Sequence, residues 1–159
     1  YPFMKRVTYL PQFVLGAAYS WGIPMAAMAS LSTIPGWIWA LYLANLLWTV
    51  AYDTFYAMVD RDDDIRIGVK STALLFGPYC HQAIALLQVA FLLLMAWVGT
   101  ETFAGVWYYT GLVLVALSFA HQHWQASTQG RAGCFQAFLN NHYSGLLLFL
   151  AIAVDSLAR

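Results

Sequence analysis

Charge is scarce in this chain: 9% of its 159 residues are Asp, Glu, Lys or Arg, while 62% are hydrophobic. An ordinary soluble domain is about 25% charged, so a water-facing globular surface is excluded. Cysteine is scarce too. Cys80 and Cys134 are far apart with no Cys-x-x-Cys spacing, which excludes a disulfide scaffold or a cysteine zinc site and leaves two reduced packing residues. There is no basic run and net charge is zero, so nucleic acid is set aside as a partner. The Tyr-Pro opening lacks both an initiator Met and the basic-then-apolar order of a signal peptide; it reads as a piece of a longer polypeptide. With no repeat, low-complexity tract or linker, residues 1–159 read as a single transmembrane domain.

Long apolar runs are what the chain has in abundance, and its mean hydropathy is +0.64. Crossing a hydrocarbon core of about 30 Å takes about 20 mostly apolar helical residues. Windows at 10–29, 35–58, 82–98 with its flanks and 105–120 with its flanks meet that need, and a shorter one at 143–157 is interrupted by Asp155. The fold class is therefore all-α, a polytopic transmembrane helix bundle with about five spans in contact with membrane lipid. Gly16, Gly22 and Pro24 punctuate the first span, as at a close contact or kink. Residues 121–142 are polar and read as a loop. Consecutive spans put Lys5, Arg6, Arg61, Arg66, Lys70 and Arg131 on one face and Arg159 alone on the other. By the positive-inside rule the first face is cytoplasmic. Glu101 and Asp155 then lie at the outer face, where they should be solvated.

Five of the seven acidic residues fall between Asp53 and Asp64, at the cytoplasmic end of the second span. Carboxylates at a membrane boundary are costly and point to function. At 100° per residue, Asp53, Asp60 and Asp64 lie within roughly 40° of one another with Tyr56 and Ala57 beside them, while Asp62 points the other way. Such a stripe suits Mg²⁺, a hard cation that takes carboxylate oxygens and shares its shell with phosphates. A diphosphate leaves poorly until metal and cationic side chains neutralise its developing charge; Arg6, Arg61, Arg66 and Lys70 are the candidates for the cationic part. Trp48, Tyr52, Phe55 and Tyr56 are placed to offer aromatic faces to a cation, although packing is the commoner role for such residues. His121 and His123 diverge by about 200° on a helix and form no metal pair. Asn45 sits beside the acidic face and should bond between helices.

The run from Tyr52 to Asp64, Tyr-Asp-Thr-Phe-Tyr-Ala-Met-Val-Asp-Arg-Asp-Asp-Asp, followed by Gly68-Val69-Lys70-Ser71-Thr72-Ala73 and Phe76-Gly77, closely resembles the second aspartate-rich motif of the UbiA superfamily of intramembrane aromatic prenyltransferases. Tyr1-Pro2-Phe3-Met4-Lys5-Arg6, with Leu10-Pro11-Gln12 and Leu15-Gly16, resembles the segment that precedes it in the 4-hydroxybenzoate polyprenyltransferase branch. The resemblance covers essentially the whole chain. It implies a nine-helix bundle with a central cavity, of which this is the C-terminal portion; the family's first motif, Asn-Asp-x-x-Asp-x-x-x-Asp, belongs to the missing N-terminal half. It implies transfer of a prenyl group from a Mg²⁺-bound polyprenyl diphosphate to the ring of 4-hydroxybenzoate, for ubiquinone synthesis in a bacterial inner membrane. Asp60 and Asp64 would hold the metal with Asp53 in support, and Arg6 would face the diphosphate or the benzoate carboxylate. Lys5, Tyr56, Arg66 and Lys70 would complete the substrate-binding set.

Two rival readings share these residues. A UbiA-type enzyme with another acceptor differs only in the acceptor pocket. A cation transporter would place an acid in mid-span, whereas here the acids crowd one end beside basic residues, which favours an anionic headgroup.

Overall fold

The computed structural model describes residues 3–158. Tyr1 and Pro2, which open the segment ahead of the aspartate-rich motif, and Arg159, the basic residue expected on the outer face, lie outside the described residues. Helices follow one another as α1 (Met4–Val7), α2 (Pro11–Ser20), α3 (Gly22–Leu31), α4 (Gly36–Val59), α5 (Arg61–Ile67), α6 (Thr72–Phe76), α7 (Cys80–Glu101) and α8 (Val106–Leu157), with a 3-10 turn, Gly77–Tyr79, before α7. No strand occurs among the described residues.

Local sequence explains where these helices stop. Pro11 begins α2, where its missing N–H is no loss. Pro24 cannot bond back to Ser20, and the first span divides at Trp21 into α2 and α3. Gly68 closes α5 at φ +70°, a left-handed position that suits glycine.

Three stretches are long and apolar enough to cross a membrane: Pro11–Leu31, Thr72–Glu101 and Val106–Leu157. The last contains two of the five expected windows. Gly130, at φ 55° and ψ −133°, breaks α8 into two arms. They run antiparallel, since Ser118 bonds Ser144 at 2.8 Å and Gln122 bonds Ser144 at 3.0 Å. The polar stretch expected as a loop over 121–142 is thus helical on both sides of one glycine. At 24 residues α4 spans about 36 Å, long enough to cross, but Asn45, Asp53 and its ring of Trp and Tyr residues keep it less apolar than the other three.

α4 is the axis of the bundle, with α2, α7 and α8 packed against it. Ala44, Val50, Ala51 and Phe55 on α4 are fully buried. Polar side chains tie its neighbours to it. Asn45 Nδ2 donates to Ser20 Oγ at 2.8 Å, the interhelical bond expected of it, and Trp48 Nε1 donates to Asn141 Oδ1 at 3.0 Å. Cys80 and Cys134 are buried free thiols, as anticipated.

Asp155 corrects the sequence reading. It is buried, not solvated, and accepts backbone N–H bonds from Gly105 at 2.9 Å and Tyr108 at 3.3 Å. The acid near the end of α8 folds back onto the helix's own start, where orphan N–H groups and the positive end of the dipole favour a carboxylate. A Cβ on Gly105 would lie 2.7 Å from Asp155 Oδ1, so only glycine admits this approach. Glu101 is exposed as expected.

Candidate functional site

The acidic stripe is built at a break between helices. α4 ends at Val59 and α5 starts at Arg61, with Asp60 between them at φ −88°, ψ 0°. The sequence reading put Asp53, Asp60 and Asp64 on one continuous wheel. Instead the helix breaks at Asp60. Its sidedness survives the bend. Asp53 and Asp60 are half-buried, Asp64 is buried at 4% exposure, and Asp62 and Asp63 are exposed. Asp62 lines a separate cavity with Arg61, His81 and Arg131.

A cavity of about 250 Å³ lies against the acidic face of α4, lined by Lys5, Gln12, Asp53, Tyr56 and Phe138 among others. Phe138 also lines a larger cavity of about 500 Å³, which borders Asn45, Trp48, Thr49 and Tyr52 on the preceding turns of α4. One face of α4 therefore carries a charged compartment at its end and an aromatic one beside it. Phe55, weighed as an aromatic contributor, is fully buried against His123 and belongs to the core.

Asp64 is the most unusual acid in the site. Its Oδ2 is buried without a hydrogen bond of ordinary geometry, although the Ser71 hydroxyl lies close enough to act on the carboxylate. Desolvation lifts the Asp64 carboxyl above the ordinary range; Lys5 and the Ser71 hydroxyl pull it back, and Asp60 and Asp63 add to the rise. Among the described residues, no three His, Cys, Asp or Glu side chains gather closely enough to hold a metal ion alone. The expected trio Asp53, Asp60 and Asp64 is thus not a ready-made cage, since the bend at Asp60 parts α4 from α5. The donors still suit Mg²⁺, which commonly takes one or two carboxylates and fills its shell with water and phosphate: they are all oxygens, and Asp64 Oδ2 has no hydrogen bond of ordinary geometry.

The expected cations divide. Lys5 lines the charged compartment and acts on Asp64. Lys70 Nζ instead donates to the Val7 carbonyl at 3.2 Å and lies 5.1 Å above the Tyr9 ring, so it fastens the link between α1 and α2. Arg66 is exposed and 3.6 Å from Asp63, which also takes Arg131 at 3.1 Å. Arg6 is exposed and lines none of these cavities. His123 bonds Gln88 at 2.8 Å and His121 stacks on Trp124, so neither histidine enters the site.

Gln12 and Ser71 were not singled out from the sequence. Gln12 is 1% exposed, and its Oε1 accepts the Thr72 N–H at 3.2 Å. Thr72 Oγ1 in turn pairs with Thr54 Oγ1 at 2.8 Å. These bonds fix the Ser71-Thr72 segment against α2 and α4. A polar residue just inside a Pro-started apolar helix was the available signal for Gln12.

The model of the UbiA prenyltransferase family matches residues 1–152. The chain belongs to that family. It is 58% identical to a 4-hydroxybenzoate octaprenyltransferase of Serratia proteamaculans (strain 568), over 98% of this chain and 53% of the relative. It is 54% identical to one of Pseudomonas putida (strain W619), over all of this chain and 54% of that one. The chain spans about half the length of the curated relatives it matches. The apo structure of a UbiA homolog from Aeropyrum pernix K1 superposes with a TM-score of 0.80 at 24% identity, covering 98% of this chain and 58% of that one; at that identity the likeness speaks for the fold. Family and apolar helices together make this UbiA chain a membrane protein.

Proposed function

We propose that this chain supplies the C-terminal half of an enzyme that moves a polyprenyl group from its diphosphate to the ring of 4-hydroxybenzoate, with Mg²⁺, in ubiquinone synthesis at a bacterial inner membrane. The acidic end faces the cytoplasm, the side that gathers the basic residues. The observation that carries the reading is the pair of adjoining compartments on α4: Lys5 and Asp53 line one, and Trp48 and Tyr52 line the other. An amphiphile with an anionic head and an unsaturated tail fits such a pair. The names of the relatives support the choice of 4-hydroxybenzoate as acceptor.

Mg²⁺, when bound, neutralises the diphosphate so that it can leave. Asp60 and Asp64 are the residues of this chain that would hold it, with Asp53 in support. Lys5 would contribute a positive charge to the leaving group from the same compartment. Trp48, Tyr52 and Tyr56 offer ring faces to the allylic cation left when the C–O bond breaks, and the enclosing helices limit water's access to it. The new C–C bond forms at the ring carbon ortho to the phenol, that carbon's proton is lost, and diphosphate is the second product. Lys70 and Arg66 act on the fold of this segment and not on the reacting groups, and Arg6 would need the other half of the protein to bring a substrate to it.

The test is transfer of radiolabelled polyprenyl diphosphate to 4-hydroxybenzoate in membranes holding the full-length protein, with homogentisate and a dihydroxynaphthoate as rival acceptors. Prenylated 4-hydroxybenzoate as the main product is expected. A preference for a rival would move the chain to another member of the family, and no product with any acceptor would remove the enzymatic reading.

A further inference from the structure

We infer that the cavity lined by Arg61, Asp62, His81 and Arg131 holds the headgroup of an anionic phospholipid, with the two arginines gripping its phosphodiester. The inference does not depend on the functional reading above. The cavity measures about 240 Å³ and lies where the end of α4, the start of α5, the start of α7 and the turn of α8 meet. Asp62 is the one acid that lines it. Behind the polar rim the wall is apolar, with Val59, Ala126 and the two free cysteines. The cavity shares no lining residue with the compartment of Lys5 and Asp53 or with the aromatic one beside that.

Neighbouring acids do not use up the two guanidiniums. Arg61 forms no ion pair among the described residues, and Arg131 reaches Asp63 through one nitrogen at 3.1 Å, an acid it shares with Arg66 at 3.6 Å. Both arginines are exposed, so their remaining N–H groups are free to turn toward a ligand. Two planar forks suit the two unesterified oxygens of a phosphodiester. The surroundings favour a lipid over a soluble anion. Tyr79, just before α7, and Trp124, shortly before Gly130, are large exposed aromatics on the elements that build the cavity, as rings at headgroup depth are. Basic pockets between membrane helices on the cytoplasmic side are where anionic headgroups bind, and the apolar wall keeps the carbons next to the phosphate in contact with protein. A headgroup held there would also tie α5, which packs chiefly on α4, to α7 and α8.

The experiment is native mass spectrometry of the full-length protein in detergent with an equal mixture of phosphatidylglycerol and phosphatidylcholine of the same acyl chains. Wild type is compared with the double variant Arg61→Gln, Arg131→Gln and with Asp62→Asn. One unit charge near an anionic membrane surface is worth about fivefold. Two arginines opposed by Asp62 should therefore give wild type a preference of about fivefold for phosphatidylglycerol, and the double variant none. Asp62→Asn should prefer it about fivefold more than wild type does, a gain that misfolding cannot imitate. A preference that persists in the double variant, or no gain in Asp62→Asn, would overturn the inference. A parallel arm adds millimolar inorganic phosphate to the wild-type mixture. Retention of phosphatidylglycerol is expected, and its displacement would make the site one for a soluble anion and overturn the lipid assignment.

Discussion

Replacing Asp64 with asparagine should separate binding from folding. In the metal-free protein the ionised carboxylate sits at 4% exposure with Oδ2 short of an ordinary hydrogen bond, near the like charges of Asp60 and Asp63. Asparagine has the same shape and no charge. What the substitution relieves is the desolvation of a charge and its repulsion by Asp60 and Asp63, while a polar amide stays buried, so the gain should be small, about 1 kcal/mol. For a protein of this size class that corresponds to a rise of roughly 2–4 °C in Tm. The pH dependence has a definite sign. A carboxyl raised in the folded state favours folding most when protonated, so this contribution is present below the unfolded value of about 3.9 and is lost as pH climbs through the higher folded value. Asp64→Asn should remove that loss, leaving the variant's metal-free stability flatter with pH. Mg²⁺ should then stabilise wild type and not the variant. Thermal unfolding of the full-length protein in detergent, with chelator or Mg²⁺, at several pH values, reads all of this. An Asp64→Asn variant that is less stable than wild type in chelator would refute the reasoning, because the carboxylate would then be serving the fold.

The two lysines should behave oppositely. Lys5→Met is expected to raise KM for the polyprenyl diphosphate at least tenfold, whereas Lys70→Met should leave KM within about threefold and lower stability by about 1 kcal/mol through its lost bond and ring contact; steady-state kinetics and melting of both variants check this. Gly105→Ala should destabilise by about 2 kcal/mol or more, since its Cβ meets Asp155 Oδ1 at 2.7 Å, and Asp155→Ala by about 1–2 kcal/mol through loss of the N–H bonds at the start of α8. Denaturation in mixed micelles measures both, and Gly105→Ala milder than a surface substitution would count against the contact. Trp48→Phe should cost about 1–3 kcal/mol by leaving the buried Asn141 Oδ1 short of its 3.0 Å donor. If the Asn141→Leu partner variant restores nothing in a double-mutant cycle, the bond is not what holds α4 to α8.

The sequence carried the membrane character and the sidedness of the acids well, because both depend on periodic burial. Asp64 went in and Asp62 stayed out, as the helical wheel requires, even though the wheel was drawn through a bend. What it could not carry was the bend itself. Nothing in Val59-Asp60-Arg61 is a breaker residue; the kink at Asp60 reflects where α4 leaves the bundle, which is a tertiary fact. The hairpin in α8 was hidden for a related reason. A polar stretch with one glycine looks like a loop, but Gln122, Asn141 and Ser144 are polar because they bond across the two arms, and one residue at Gly130 suffices to turn the chain. Asp155 was misread because its partners are backbone N–H groups of the other arm, 50 and 47 residues earlier. The contacts of Lys70 were hidden as well, because sequence spacing does not reveal that the Val7 carbonyl and the Tyr9 ring fold over it.

The central claim is that the acids at the junction of α4 and α5 hold the metal that serves the diphosphate. Its most direct test is a structure of the full-length protein with Mn²⁺ and inorganic diphosphate, using the anomalous signal of manganese. The account predicts a manganese peak bound by Asp60 and Asp64, with the diphosphate in the compartment lined by Lys5. A peak elsewhere, or diphosphate seated instead between Arg61 and Arg131, would contradict it.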